Sequence, residues 1–235
     1  MLIEIWSDVV CPWCYIGKRR LESALAGFAH ADEVEVVYRS FELDPTAPRE
    51  PHQTAREMLA ARYGMSAEQA AEAQGRVIEM AAAEGMTWQH EHSLHASSRD
   101  AHRLLHLALA EGGRVQQRAL KERLLAAYFV EARNIADHAV LREAATAVGL
   151  DGARVDEVLA SEEYDDAVAA DIGQAAAYGA TGVPFFVLEQ RYAVSGAQPT
   201  ELFAEVLDKV WAETHPAPLQ VVADGDACGP DGCAV

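Results

Sequence analysis

Between Thr54 and Tyr178 this chain of 235 residues offers no credible strand, whereas strand-like runs crowd its two ends. The middle is rich in Ala, Leu and Glu. Its apolar positions recur at helical spacing, which predicts helices over 53–63, 66–84, 98–111, 114–130, 137–148 and, in pieces, 151–178. Gly64, Gly85, Gly112-Gly113, Asn134 and Gly149 punctuate them as C-caps or loops. At the N-terminal end, residues 2–7 read as a buried strand, 12–29 as a helix and 34–43 as a second, β-branched strand, closed by Pro45, Pro48 and Pro51. At the C-terminal end, 183–188 and 191–194 read as a hairpin turning at Glu189-Gln190, followed by a helix over 200–214. Neither the β-α-β unit nor the β-β-α unit can bury both faces of its strands alone. Joined, they make a four-stranded sheet with helices on its faces, and the helical stretch becomes an insertion. The organisation expected is an α/β domain split into residues 1–50 and 176–215, a helical domain over 51–175, and a Pro-, Gly- and Asp-rich tail over 216–235.

The chemistry concentrates where the first strand meets the first helix, at Cys11-Pro12-Trp13-Cys14. A helix N-terminus presents unpaired N–H groups and the positive end of the macrodipole, which favour an anion. A thiolate is such an anion, so Cys11 is expected to be an accessible nucleophile with a lowered pKa. Pro12 suits the first helical turn. Cys14, one turn on and expected to be the more buried thiol, can close a disulfide with Cys11. Half of a zinc site and a chance pair are the competing readings. A zinc site needs a second pair or two histidines at ligand spacing, and the only other cysteines, Cys228 and Cys233, lie in the tail.

A formal charge of −18 argues against nucleic acid or an anionic membrane as partner. No run approaches the roughly 18 apolar residues of a membrane span. The N-terminus enters a strand at once without a secretory pattern, which predicts a cytoplasmic protein whose short-spaced cysteines serve catalysis rather than structure.

Three stretches carry a resemblance: SDVVCPWCYIGKRRLE (7–22), AHRLLHLA (101–108) and TGVPFFVLEQRYAVSGAQ (181–198). Together with the helical insertion they resemble the DsbA family of thioredoxin-fold oxidoreductases, and within it the FrnE-like subfamily, over about residues 1–214. Ser97-Ser98 departs from the Asn-Thr expected there. The resemblance implies a thioredoxin-like fold and thiol–disulfide exchange with protein or peptide thiols, using glutathione or a cellular dithiol as electron partner and no metal or organic cofactor. It also implies a cis Val183-Pro184 bond facing Cys11, with Val183 presenting its backbone to an extended substrate.

Other residues have expected roles. Trp13 is expected to be exposed and to contact substrate beside Pro12, and Trp6 to lie in the core. Glu4 stands three residues before Ser7, where the family places an acid, and could relay a proton to Cys14. Asp8, if it points at Cys11, would oppose a very low thiol pKa. His102 and His106 stand i, i+4, but no motif completes a metal site, so they are expected at the rim of a packing helix. Cys228 and Cys233 bracket turn-forming Gly-Pro and Asp-Gly and could form a second redox pair on a tether. Two alternatives stay open: a glutathione-dependent small-molecule isomerase or transferase of the same fold, and a peptide-binding, chaperone-like module.

Overall fold

The computed structural model describes residues 1–216; Cys228 and Cys233, and with them the expected second redox pair, lie outside the described residues. The chain runs β1 (Leu2–Ser7), α1 (Pro12–Ala26), β2 (Glu35–Ser40), then six helices, α2 (Ala55–Tyr63), α3 (Ala67–Ala83), α4 (Arg99–Phe129), α5 (His138–Ala147), α6 (Gly152–Leu159) and α7 (Asp165–Ala177), and closes with β3 (Phe185–Leu188), β4 (Tyr192–Ser195) and α8 (Thr200–Thr214). The four strands form one sheet in the order β2-β1-β3-β4. β1 and β2 are parallel, and the other pairs are antiparallel. This is the thioredoxin-like α/β fold with a large helical insertion that the sequence predicts.

Local signals set the helix ends. Thr54 and Ser66 each close a capping box, with Glu57 and Gln69 at the third helical position. The break expected at Gly112-Gly113 is a kink inside α4, where Gly113 takes φ 71°. Glycine tolerates that backbone, so two runs of helix share one element.

The period of two along β1 sorts its side chains onto two faces. Ile3 and Ile5 share a core with Tyr38, Phe186, Leu21 of α1 and Phe203 and Leu207 of α8. Trp6 packs on the opposite face with Phe185, Val187 and Ala175 of α7. The far side of α1 belongs to the helical core: Tyr15 and Ile16 join it, and the Tyr15 ring stacks on Trp88 at 5.7 Å. Burying each such large side chain is worth about 1.5–3 kcal/mol, so α1 is held firmly from two sides. β2, the edge strand, is covered by α4. The Gln117 side chain accepts from the Tyr38 N–H and donates to the Tyr38 carbonyl, both at 2.9 Å, and thereby continues the ladder. Among the described residues no helix is long and apolar enough to cross a membrane.

Candidate active site

Cys11 is the residue that opens α1. It keeps an extended backbone (φ −90°, ψ 115°) while Pro12 occupies the first helical position. The Cys14 N–H donates to the Cys11 carbonyl at 3.1 Å, closing the first turn and bringing the two free thiols together. The loop before β3 comes up beside them. Val183-Pro184 is a cis peptide, and the Cys11 thiol donates to the Val183 carbonyl at 3.6 Å. Trp13 projects outward, 40% exposed, and Trp6 is buried.

The thiols differ from the sequence-based expectation. Cys11 is not an exposed nucleophile: it is 2% exposed, and Cys14, at 2%, is no more buried. Nor does the Cys11 pKa fall. Burial pushes it well above the usual cysteine value, and the Cys14 sulfur and the Asp8 carboxylate push the same way. The Cys14 backbone N–H pulls it down, but not enough to offset these. The helix-terminus argument counted donors alone. In the resting dithiol the Cys11 sulfur faces a carbonyl and a second sulfur, neither of which stabilises a thiolate.

Asp8 organises the loop between β1 and α1. Its carboxylate accepts from the Leu43 N–H at 2.8 Å, and its other oxygen lies 3.2 Å from His102 Nε2. Burial alone would raise its pKa, but the contacts with His102, Leu43 and Ser98 outweigh it and hold the group below the usual carboxylate value. His102 is thus fully buried against the active-site loop rather than at a helix rim. His106 turns elsewhere, to Asp171 and Ser40, each at 3.1 Å. The i, i+4 pair is divided between two carboxylates.

Glu4 is buried, and its Oε1 is taken by Arg39 at 2.6 and 2.9 Å. Arg39 also reaches Asp171 at 3.5 Å. Only Glu4 Oε2, which makes no hydrogen bond, is left for the proton-relay role expected of it.

A cleft of about 460 Å3 opens between the thiol loop and the insertion. Cys11, Trp13 and Val183 form one wall, and Met58, Leu59 and Val77 of α2 and α3 form the other. Its lining is mainly apolar.

A strand–helix dithiol against a cis-proline loop is the arrangement by which a family can be recognised, and the profile of the DSBA-like thioredoxin domain matches residues 2–208. The chain belongs to that family. Its fold superposes on a probable DsbA oxidoreductase of Streptomyces coelicolor with a TM-score of 0.85 and 48% identity, covering 100% of this chain and 99% of the other. The uncharacterized protein YwbO of Bacillus subtilis (strain 168) is 27% identical over 206 residues, 87% of this chain and 94% of that protein. A cytosolic disulfide reductase of Pseudomonas aeruginosa solved with GSH, DsbM, shares the fold at a TM-score of 0.64 and 19% identity, covering 89% of this chain and 99% of the other.

Within this DSBA-like site, three features were not read from the sequence. One is the Asp8–His102 pair, 94 positions apart in the chain. The resemblance of AHRLLHLA pointed at the right helix, but not at what its first histidine touches. Another is Gly17, whose missing side chain lets α1 settle onto the proline loop. A Cβ there would stand 3.0 Å from Pro184 Cγ and 3.3 Å from Phe186 Cζ. The third is Lys121, a fully buried lysine of α4 whose Nζ donates to the Ser7 carbonyl at 3.2 Å.

Proposed function

We propose that this protein exchanges thiols and disulfides through a Cys11/Cys14 couple, acting on cysteines of proteins or peptides. The observation that carries this reading is the pair of free thiols at the start of α1 with Cys11 Sγ 3.6 Å from the Val183 carbonyl. A Cys11 thiolate attacks a substrate disulfide R–S–S–R′. The Cys11–SR bond forms and R′S⁻ leaves. Cys14, as thiolate, then attacks Cys11 Sγ, the Cys11–SR bond breaks, RS⁻ departs, and the Cys11–Cys14 disulfide remains. The substrate is reduced by two electrons and the protein oxidised; run backwards, the same steps oxidise a substrate dithiol.

In this reading Pro12, Trp13, Val183 and Pro184 frame the substrate. An extended segment lies along the Val183 backbone, and the cleft takes the apolar side chains next to its cysteine. The raised Cys11 pKa suits a resting dithiol whose nucleophile is unmasked when substrate displaces the internal contacts. Glutathione is a fitting electron partner, since a family fold occurs in a disulfide reductase solved with it.

A trapping experiment tests the reading. With Cys14→Ala, Cys11 is expected to accumulate as a mixed disulfide with glutathione or a cysteine-containing peptide, visible by intact-mass measurement. Wild type passes on to the internal disulfide, and Cys11→Ser does neither. A Cys14→Ala protein that stays free of adduct under an oxidised thiol pool would overturn the assignment.

A further inference from the structure

Lys121 is buried with one protein acceptor. Its Nζ reaches the Ser7 carbonyl, and among the described residues no carboxylate lies within 4.0 Å of it. Its α4 neighbour Glu122 is already engaged by Lys18 at 2.6 Å and by Tyr15 at 2.7 Å. A charged amine with three donors, fully out of water, normally finds a full set of partners, because desolvation is costly. The Tyr38 ring lies 5.5 Å from Nζ.

Position explains the shortfall. Ser7 is the last residue of β1, and four residues later the chain enters α1 at Cys11. An amine seated on the Ser7 carbonyl, over Tyr38 on the face that α1 covers, lies below the first turn of that helix. Cys14 is buried in that turn and stands four residues before Lys18, which binds Glu122, the neighbour of Lys121, at 2.6 Å. The charges that bear on Lys121 are those of Asp8 in the loop and of Cys11, Cys14 and Lys18 around the start of α1, and the Tyr38 ring of β2 lies beside it.

We propose that Lys121 is the buried proton acceptor and charge partner of Cys14 in the resolving step, supplied to the thioredoxin-like half by the helical insertion. The proposal rests on the exchange reaction proposed above. In the Cys11–SR mixed disulfide the Cys14 thiol gives its proton to the Lys121 amine, which leaves a thiolate beside an ammonium. The thiolate attacks Cys11 Sγ, the Cys11–SR bond breaks with its electron pair on the departing sulfur, and the Cys11–Cys14 bond forms. The ammonium returns the proton to RS⁻. In the reverse direction the ammonium stabilises Cys14 as leaving group. The electrostatics of the site agree. Burial lowers the Lys121 pKa to about 8, and the strongest opposing pull comes from Cys14, ahead of Asp8 and Cys11. An amine with that pKa exists in both forms near neutral pH, as a proton acceptor must.

An aromatic disulfide that releases a coloured thiolate separates the two steps. The first release reads attack by Cys11, and the second reads resolution by Cys14. For Lys121→Met the second phase is expected to slow about tenfold at pH 7 and its pH midpoint to rise by about one unit, the equivalent of one modest charge–charge interaction. The first phase should change less. Lys121→Arg, which keeps the charge but cannot accept the proton, should hold a lowered midpoint yet recover only part of the rate. A second phase in Lys121→Met with wild-type rate and midpoint would overturn the proposal and leave the exchange reaction standing. Absence of any second release from the wild-type protein would instead strike the underlying reading, and the proposal with it. Thermal unfolding of each variant, measured alongside, separates slow resolution from loss of the fold.

Discussion

β1 carries a buried charge on each side, and the two are built differently. Beneath Trp6, Glu4 meets Arg39 at 2.6 Å and Arg39 meets Asp171 at 3.5 Å, so opposite charges answer one another. Above the other face, Lys121 meets a carbonyl and a ring. Both sites bear the cost of dehydration. Only the first recovers it by mutual attraction within the resting fold. The contrast indicates that the Glu4–Arg39–Asp171 group joins β1, β2 and α7, whereas Lys121 is held in a state whose missing partner is a thiolate that exists only during turnover.

Substitution should drive the two sides in opposite directions, and this is the largest effect expected. Arg39→Met leaves the buried Glu4 carboxylate without a partner, while Asp171 keeps His106 at 3.1 Å and the Ser40 N–H at 2.8 Å. Removing one member of a fully buried pair costs roughly 3–5 kcal/mol, and Arg39 is 29% exposed, so a loss of about 2–3 kcal/mol is expected. For Lys121 the sign reverses. Its folded pKa of about 8 lies below its ordinary 10.5, so the unfolded chain binds more protons between those values. Its contribution to stability is present above about pH 10.5 and is lost as pH falls through 8. At neutral pH the buried ammonium therefore costs about 3 kcal/mol, and Lys121→Met should be neutral or stabilising there. Urea titrations at pH 7 and pH 10 decide the matter. Equal losses from both substitutions would erase the distinction between the two faces.

The acid side of the stability curve sharpens the comparison by supplying a buried titrating group on neither face. His90, among Trp88, Tyr128 and Phe129, has its pKa lowered to about 4, chiefly by burial. A group whose folded pKa is depressed contributes stability above its unfolded value, near 6.5, and loses it as pH falls through about 4. The loss at completion is about 3 kcal/mol. In His90→Gln the slope between pH 6.5 and 4 should flatten, while the Lys121 effect above pH 8 stays. An unchanged slope in that window would overturn the assignment to His90, because Asp8 and Asp100, both held below the usual carboxylate value, act only at lower pH.

The sequence carried the sheet and most of the helices because their signals are periodic and local: alternation in 2–7, β-branching in 34–43, capping pairs at Thr54 and Ser66. It carried Cys11, Cys14 and Val183-Pro184 because a spacing and a resemblance point at them. The face of Glu4 was also legible, since alternation places it with Trp6 and against Ile3 and Ile5. Lys121 was not. In Leu-Lys-Glu-Arg-Leu a lysine reads as part of a solvated stripe, and nothing local reveals a carbonyl 114 positions away. The burial of Cys11 was missed for the same reason. The helix terminus is local, but the Val183 carbonyl and the cleft wall that cover the thiol come from distant segments.

The smallest effect expected tests how closely the thiol-bearing helix must approach its own face of the sheet. Gly17 lies inside α1, where glycine ordinarily costs stability relative to alanine by roughly 0.5–1 kcal/mol. A gain would follow from Gly17→Ala if space were open. It is not: the added methyl would meet Pro184 Cγ at 3.0 Å, Phe186 Cζ at 3.3 Å and the Ala197 backbone at 3.4 Å. Overpacking of this kind costs about 1–3 kcal/mol, so the net change should be a loss of about 1 kcal/mol. The displaced neighbour is the proline ring beside the Val183 carbonyl that Cys11 contacts. The rate of Cys11 alkylation should therefore change with the stability, while the Glu4–Arg39–Asp171 group, on the far side of β1, keeps its full effect when Arg39→Met is added to Gly17→Ala. Additive losses in the double variant with an altered alkylation rate fit two independent faces. A gain in stability with unaltered alkylation would mean that the helix does not bear on the proline loop.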